Sequence, residues 1–280
     1  MILITGATGN VGRAAVELLL ARGHKVLAVS RDPAAAALPA DAEVIAGDPS
    51  RPGTLAPAFA GVRAILQSPR AVGEGTAELL ALAAERGVTQ VVVLSALTVE
   101  HGGGDRRFAD GFRAVEDAAR ASGLAWTFLR CADFAANALA WAPQVRSTGQ
   151  VRGAHGAAAT STVHERDVAE VGVRALLEPG HGGCCYELTG PESLTQRAKV
   201  RLIGDAIGVD VDWVETEPEQ LRRAMLAQGV PPDVPDRLLG YLADHVTRPG
   251  PSSTAVAQLL GRPARTFAGW SAEHAAAFRH

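Results

Sequence analysis

Near the start of the chain, Gly6, Gly9 and Gly12 stand three residues apart in Gly6-Ala7-Thr8-Gly9-Asn10-Val11-Gly12. The apolar run Ile2-Leu3-Ile4 precedes them, and a stretch carrying Val16, Leu19 and Leu20 at helical spacing follows. A turn between a strand and an amphipathic helix is therefore predicted. At such a junction glycine allows the tight turn, lets the backbone approach a pyrophosphate, and lets the helix pack closely on the strand. The helix N-terminus adds free N–H groups and the positive end of its dipole, so the motif is suited to a dinucleotide. Gly6, Thr8, Gly9, Asn10, Val11 and Gly12 are the expected contacts.

The next candidates follow the later strands. Val29-Ser30-Arg31-Asp32-Pro33 places a basic residue about 20 positions beyond the glycine turn, where a protein preferring NAD usually offers a carboxylate to the ribose. Arg31 can pair bidentately with a 2'-phosphate, with help from Ser30 and from Arg13 at the helix start, so NADPH is expected over NADH. The other reading makes Asp32 the ribose carboxylate and leaves Arg31 in solvent. Asp48, in Ala46-Gly47-Asp48-Pro49, either accepts from the adenine amine or caps the turn that follows. Ser68 and Pro69 after the fourth strand and Ser95 at the end of the fifth lie where ligands of open α/β sheets collect, and are expected to border the nicotinamide. A serine there is also a common turn or helix cap.

The elements that must position these residues alternate in the first half of the chain. Strands are predicted at Met1 to Thr5, Lys25 to Val29, Glu43 to Ala46, Ala64 to Gln67, Gln90 to Leu94 and Ala125 to Arg130. Helices are predicted at Gly12 to Arg22, Gly53 to Ala60, Gly75 to Arg86 and Phe108 to Ser122. The fold class is α/β, a Rossmann doubly wound parallel sheet with a small, mainly helical C-terminal lobe. Residues 1–150 are assigned to the dinucleotide-binding domain. Residues 151–280 are assigned to a mixed region that completes the sheet at about 184–188 and covers the substrate, with helices at Glu165 to Leu177, Leu194 to Ile207 and Pro218 to Gln228.

Composition narrows the function. The formal charge of -3 leaves no excess of Lys and Arg for nucleic acid or an acidic membrane. Cys131, Cys184 and Cys185 have neither disulfide-framework nor zinc spacing, and burial is expected of the adjacent pair. With no charged leader and no long apolar run, a cytoplasmic protein is expected, with a homodimer as one possible assembly. No metal is assigned: His155 and His164 lack ligands at suitable spacing. His101, in the glycine-rich loop Val99 to Arg107, is either a proton donor or an exposed loop histidine. Asp167 is read as charge on a first helical turn, and Trp213 and Trp270 as packing residues.

With the glycine turn, Arg31, Gly47-Asp48, Leu129-Arg130, Phe134, Asn137, Arg166-Asp167-Val168-Ala169 and Tyr186-Glu187-Leu188-Thr189-Gly190-Pro191-Glu192 in view, the chain resembles the NmrA-like atypical short-chain dehydrogenases. Within them it is most similar to the quinone reductase and azoreductase-like branch. The resemblance implies NADPH-dependent hydride transfer to a quinone or another conjugated or aromatic acceptor, with Phe134, Asn137 and Trp141 lining the substrate site. One departure matters. Short-chain dehydrogenases that reduce carbonyls use a Tyr-x-x-x-Lys acid, yet the only tyrosines here are Tyr186 and Tyr241, and neither has a lysine four residues on. No catalytic residue is therefore assigned. A cofactor-binding redox sensor and a reductase of an aromatic natural product are the alternatives.

Overall fold

The computed structural model describes residues 1–102 and 106–279. In chain order the first elements are β1 (Ile2–Ile4), α1 (Asn10–Ala21), β2 (Val26–Ser30), β3 (Glu43–Ala46) and β4 (Ala64–Gln67). Next come α2 (Pro69–Val72), α3 (Thr76–Glu85), β5 (Gln90–Ala96), α4 (Thr98–His101), α5 (Arg106–Ala121) and β6 (Ala125–Cys131). Then follow α6 (Ala142–Thr148), β7 (Gln150–Gly153), β8 (Ala159–Thr160), α7 (Glu165–Leu177) and β9 (Cys184–Leu188). The chain finishes with β10 (Leu194–Thr195), α8 (Gln196–Ile207), β11 (Asp212–Glu215), α9 (Pro218–Ala227), α10 (Asp233–Thr247), α11 (Ala255–Leu260), α12 (Phe267–Glu273) and α13 (Ala275–Phe278).

Seven strands form one sheet in the order β3-β2-β1-β4-β5-β6-β9. The strand pairs from β3 across to β6 are parallel. Strands buried on both faces read as continuous apolar runs, and Ile2, Leu3, Ile4, Ile65, Leu66, Val91, Val92 and Val93 are all buried. Alternate residues supply one core, in which Leu3, Leu27, Ile65, Val91, Val93 and Phe128 meet Leu79, Leu80 and Ala83 of α3 and Val115 and Ala119 of α5. Helix α7 approaches the sheet at Gly172, where a Cβ would lie 3.3 Å from Leu129 Cδ1. The strand order reverses between β1 and β4, so the switch point lies at their carboxyl ends, beside Gly6 and Ser68.

Contacts divide the chain into two units. The first holds Met1–Val99, Asp110–Cys131 and Glu165–Glu187, and the second holds Glu100–Ala109, Ala132–His164 and Leu188–His280. The division is interleaved: residues 132–150, assigned from the sequence to the dinucleotide-binding domain, fall in the second unit, and residues 165–187 fall in the first. Ala135, Ala138, Ala142 and Val145 pack with Val200, Ile203, Phe267, Trp270 and Phe278 in the second unit's own core. Within that unit β7 pairs in parallel with β11, and β8 pairs antiparallel with β10.

Several local expectations change. The helix expected at Gly53 to Ala60 is a 3-10 helix over Pro52–Phe59 with Pro57 inside it, and that proline lacks the N–H an α-helix would need. Leu194 belongs to a two-residue strand, and α8 starts only after Thr195, whose hydroxyl accepts the Ala198 N–H at 3.1 Å. Cys184 is half-buried and Cys185 exposed, because β9 lies at the edge of the sheet. Trp270 is fully buried, as a packing residue should be, and Trp213 is half-buried. No helix among the described residues is long and apolar enough to cross a membrane.

Candidate cofactor site

Each motif glycine meets a different demand. Gly6 has φ 67°, and a Cβ on it would come within 2.9 Å of Ser68 Cβ. Gly12 sits in the first turn of α1, where a Cβ would be 2.2 Å from the Gly6 carbonyl oxygen. Gly9 is exposed and extended, with φ -80° and ψ 171°, and a Cβ there would meet only that same oxygen, at 3.3 Å. The protein itself excludes side chains at Gly6 and Gly12, while at Gly9 the bare backbone suits close approach of a ligand. Thr5 is buried at the end of β1, and its hydroxyl oxygen accepts the Ser68 N–H at 2.9 Å, joining the two sides of the switch point. Helix α1 begins with no side-chain cap and no acidic residue in its first turn. Its orphan N–H groups are thus available to an anion, and the residues present fit a dinucleotide pyrophosphate. Thr8 and Asn10 are exposed at this end, whereas the Val11 side chain is buried and offers its backbone.

At the end of β2, local hydrogen bonds sort the charged residues. Ser30 Oγ accepts the Asp32 N–H at 3.2 Å and donates to the Asp32 carbonyl at 2.8 Å. Asp32 Oδ1 in turn accepts the Ala35 N–H at 3.1 Å. Both side chains build the turn, leaving Arg31 exposed between them with no ion pair among the described residues. Arg13 donates to the carbonyls of Ala36, at 3.1 Å, and Ala37. It therefore holds the loop that follows Arg31. Asp48 Oδ1 accepts the Ser50 hydroxyl at 2.7 Å and the Ser50 N–H at 3.0 Å, which is the arrangement of a turn cap. Those hydrogen bonds, with Arg31 and Arg51 nearby, hold the Asp48 carboxyl below the ordinary carboxylate range.

Ser68 precedes α2 and Pro69 is its first residue. Beside them Gln67 is fully buried and donates from Nε2 to Thr76 Oγ1 at 2.9 Å, while its Oε1 has no partner among the described residues. Ser95 is buried, and its hydroxyl donates to Glu116 Oε1 at 2.7 Å. Glu116 also accepts from Arg130 Nε at 2.9 Å and Nη2 at 2.8 Å, and from Arg120 at 3.0 Å. Burial alone would raise the Glu116 pKa, but hydrogen bonds from Arg130 and Ser95 and the charges of Arg130 and Arg120 outweigh it and bring it below the usual value. Sequence reasoning missed this network: Glu116 stands 21 residues from Ser95, and neither its type nor its spacing marks it.

The residues expected to line the substrate site all fall in the second unit. Phe134 is half-buried and forms an isolated parallel bridge with Val163. Asn137 is exposed. Trp141 meets Trp213 edge-on, with ring centroids 6.2 Å apart. His101 is exposed at the end of α4, and residues 103–105 of its glycine-rich loop lie outside the described residues. His164 is buried, with Nε2 3.2 Å from Glu273 Oε2. Asp167 stands in the first turn of α7, as expected, and is buried there.

A parallel sheet with a strand-order reversal at β1 and β4, a glycine turn at that point and an uncapped helix N-terminus above it defines a dinucleotide-binding Rossmann protein. The chain belongs to the NAD(P)H-binding family, whose family model matches residues 6–179. It is 36% identical to a (4-alkanoyl-5-oxo-2,5-dihydrofuran-3-yl)methyl phosphate reductase of Streptomyces griseus, over 99% of each chain. It is 33% identical to an NAD(P)H azoreductase of Xenophilus azovorans, again over 99% of each. Among solved structures, an NADPH-dependent quinone oxidoreductase of Escherichia coli complexed with NADPH superposes with a TM-score of 0.81 at 26% identity, covering 98% of this chain and 99% of that one. With these relatives, the chain is an NAD(P)H-dependent oxidoreductase.

Proposed function

We propose that the chain transfers hydride from NADPH to a quinone or another conjugated acceptor. The observation that carries the choice of cofactor is Arg31, exposed at the carboxyl end of β2 while Ser30 and Asp32 on either side of it are engaged in the turn. A free guanidinium there suits a 2'-phosphate, and Asp32, with one oxygen already accepting a backbone N–H, is poorly placed to replace it. In this reading Gly9 and the first turn of α1 hold the pyrophosphate, Arg31 holds the 2'-phosphate, and Ser68 and Pro69 border the nicotinamide. Ser95 contributes indirectly, since its hydroxyl donates to Glu116.

Bound NADPH supplies the hydride, and the chain supplies proximity, orientation and shelter from water. The relatives' names cover an azo compound, a quinone and an unsaturated lactone. In each, a conjugated system spreads the charge that arrives with the hydride, so solvent can complete the reaction without a Tyr-x-x-x-Lys acid. The Streptomyces relative favours the unsaturated lactone as a second reading within this class, because it is similar over nearly the whole chain. The test is NADPH and NADH oxidation against a quinone, an azo dye, an unsaturated lactone and a simple ketone. The expected result is turnover of at least one conjugated acceptor, preference for NADPH, and no turnover of the ketone. Cofactor binding without turnover of any conjugated acceptor would overturn the reading in favour of a redox sensor.

A further inference from the structure

The second unit contains a tyrosine, a lysine and an aspartate brought together by tertiary structure. Asp133 follows β6, Lys199 lies on α8 and Tyr241 on α10. Asp133 Oδ2 accepts from Thr162 at 2.7 Å, Thr160 at 3.1 Å and Lys199 Nζ at 3.3 Å. Lys199 also donates to Thr160 Oγ1 at 2.5 Å. Asp133 Oδ1, by contrast, has one partner among the described residues, the Tyr241 hydroxyl at 3.4 Å. The lysine end is closed, with the Lys199 side chain 3% exposed, and the Asp133 side chain is 23% exposed.

This asymmetry is more than a structural ion pair requires. One carboxylate oxygen is saturated by three donors, while the other has lone pairs to spare and a single contact at the outer limit of hydrogen-bond length. Burial would raise the Asp133 pKa, but Lys199 and the two threonine hydroxyls outweigh it and hold it below its ordinary value. Burial together with the nearby Asp133 carboxylate pushes the Tyr241 pKa up, so the phenol keeps its proton. The result is a fixed acceptor beside a fixed donor.

We propose that Asp133 Oδ1 and the Tyr241 hydroxyl form a two-point site for a hydroxyl or amino group carried on the acceptor. Asp133 Oδ1 accepts a hydrogen bond from the ligand, and Tyr241, whose one proton otherwise goes to Asp133 Oδ1 at 3.4 Å, turns to donate it to the same ligand atom. The inference deepens the reductase reading and rests on it: the substrate becomes a conjugated acceptor bearing an O–H or N–H substituent, and Asp133 and Tyr241 determine specificity.

The test compares menadione with its hydroxymethyl analogue, using the full chain with NADPH. A site built to pair with a hydroxyl discriminates against the analogue lacking it. The wild-type kcat/KM should favour the hydroxymethyl compound by about tenfold, expressed in KM, and Tyr241→Phe should bring that ratio to roughly one. Asp133→Asn, checked for folding by its melting temperature, should do the same. A wild-type ratio near one overturns the proposal. So does an unchanged ratio in Tyr241→Phe with a lowered melting temperature, the mark of a structural network. If neither quinone is reduced, the choice of a quinone as acceptor fails on its own. Calorimetric titration of both compounds into the NADP+ complex then decides the site: a hydroxymethyl preference lost in Tyr241→Phe supports it, and equal binding of the two compounds overturns it.

Discussion

A methyl group on Gly12 would overlap the Gly6 carbonyl at 2.2 Å, whereas one on Gly9 would face that carbonyl at 3.3 Å and otherwise open space. Substitution should separate folding from binding. Gly12→Ala is expected to cost about 1–3 kcal/mol of stability through overpacking, measured by denaturant unfolding. Gly9→Ala is expected to melt near the wild-type temperature but to bind NADPH about tenfold or more weakly, since the methyl occupies the pyrophosphate's approach. Arg31→Ala should raise the NADPH Kd by about tenfold or more and change the NADH Kd by less than about twofold, read by nucleotide fluorescence. The glycine turn was legible because its signal is local, a strand, a turn and a helix within a dozen residues. Asp48 admitted two readings, and its hydrogen bonds to Ser50 favour the turn cap. The partner of Ser95 was harder to see: Glu116 is supplied by α5, 21 residues further on.

Among the elements, α5 and β6 are joined by the Glu116–Arg130 pair, with the Glu116 side chain wholly buried and that of Arg130 11% exposed. Glu116→Gln keeps the shape but removes the buried carboxylate to which Arg130 and Arg120 donate, at an expected cost of about 3 kcal/mol. The pH dependence follows from the lowered folded-state pKa of Glu116. A depressed carboxyl contributes stability that is fully present above its unfolded value, 4.5, and is lost as pH falls through the lower folded value. Wild type should therefore lose more stability than Glu116→Gln as the pH is lowered from neutral through this range, in chemical denaturation at each pH. Parallel slopes for the two proteins would contradict the account. The strands of the parallel sheet were legible because burial on both faces makes them continuous apolar runs. The second unit was less so: β8 and β10 are two residues each, and α10 carries Pro235 in its first turn. Neither leaves a periodic signal long enough to read.

Across the whole molecule, the chain leaves the first unit after β6 for residues 132–164 of the second, returns through α7 and β9 to complete the sheet, and then builds the larger part of the second unit from Leu188 onward. The returning strand was visible in the sequence around Tyr186 to Leu188. The place of 132–150 in the second unit was not, because the residues they pack with there, Phe267, Trp270 and Phe278, lie more than a hundred positions away. Binding should stabilise the first unit by mass action: NADP+ at a hundred times its Kd should add about 2.7 kcal/mol. Amide exchange should slow in the Gly6–Arg13 turn and in the Arg31–Ala37 loop that Arg13 holds. The central claim is direct hydride transfer from NADPH to a conjugated acceptor without a side-chain acid. It is tested most directly in a single turnover of the NADPH complex with menadione, comparing ordinary NADPH with NADPH deuterated at the transferred position. The account predicts acceptor-dependent oxidation slowed by the deuterium. Tight NADPH binding with no oxidation by menadione, an azo dye or an unsaturated lactone would contradict it.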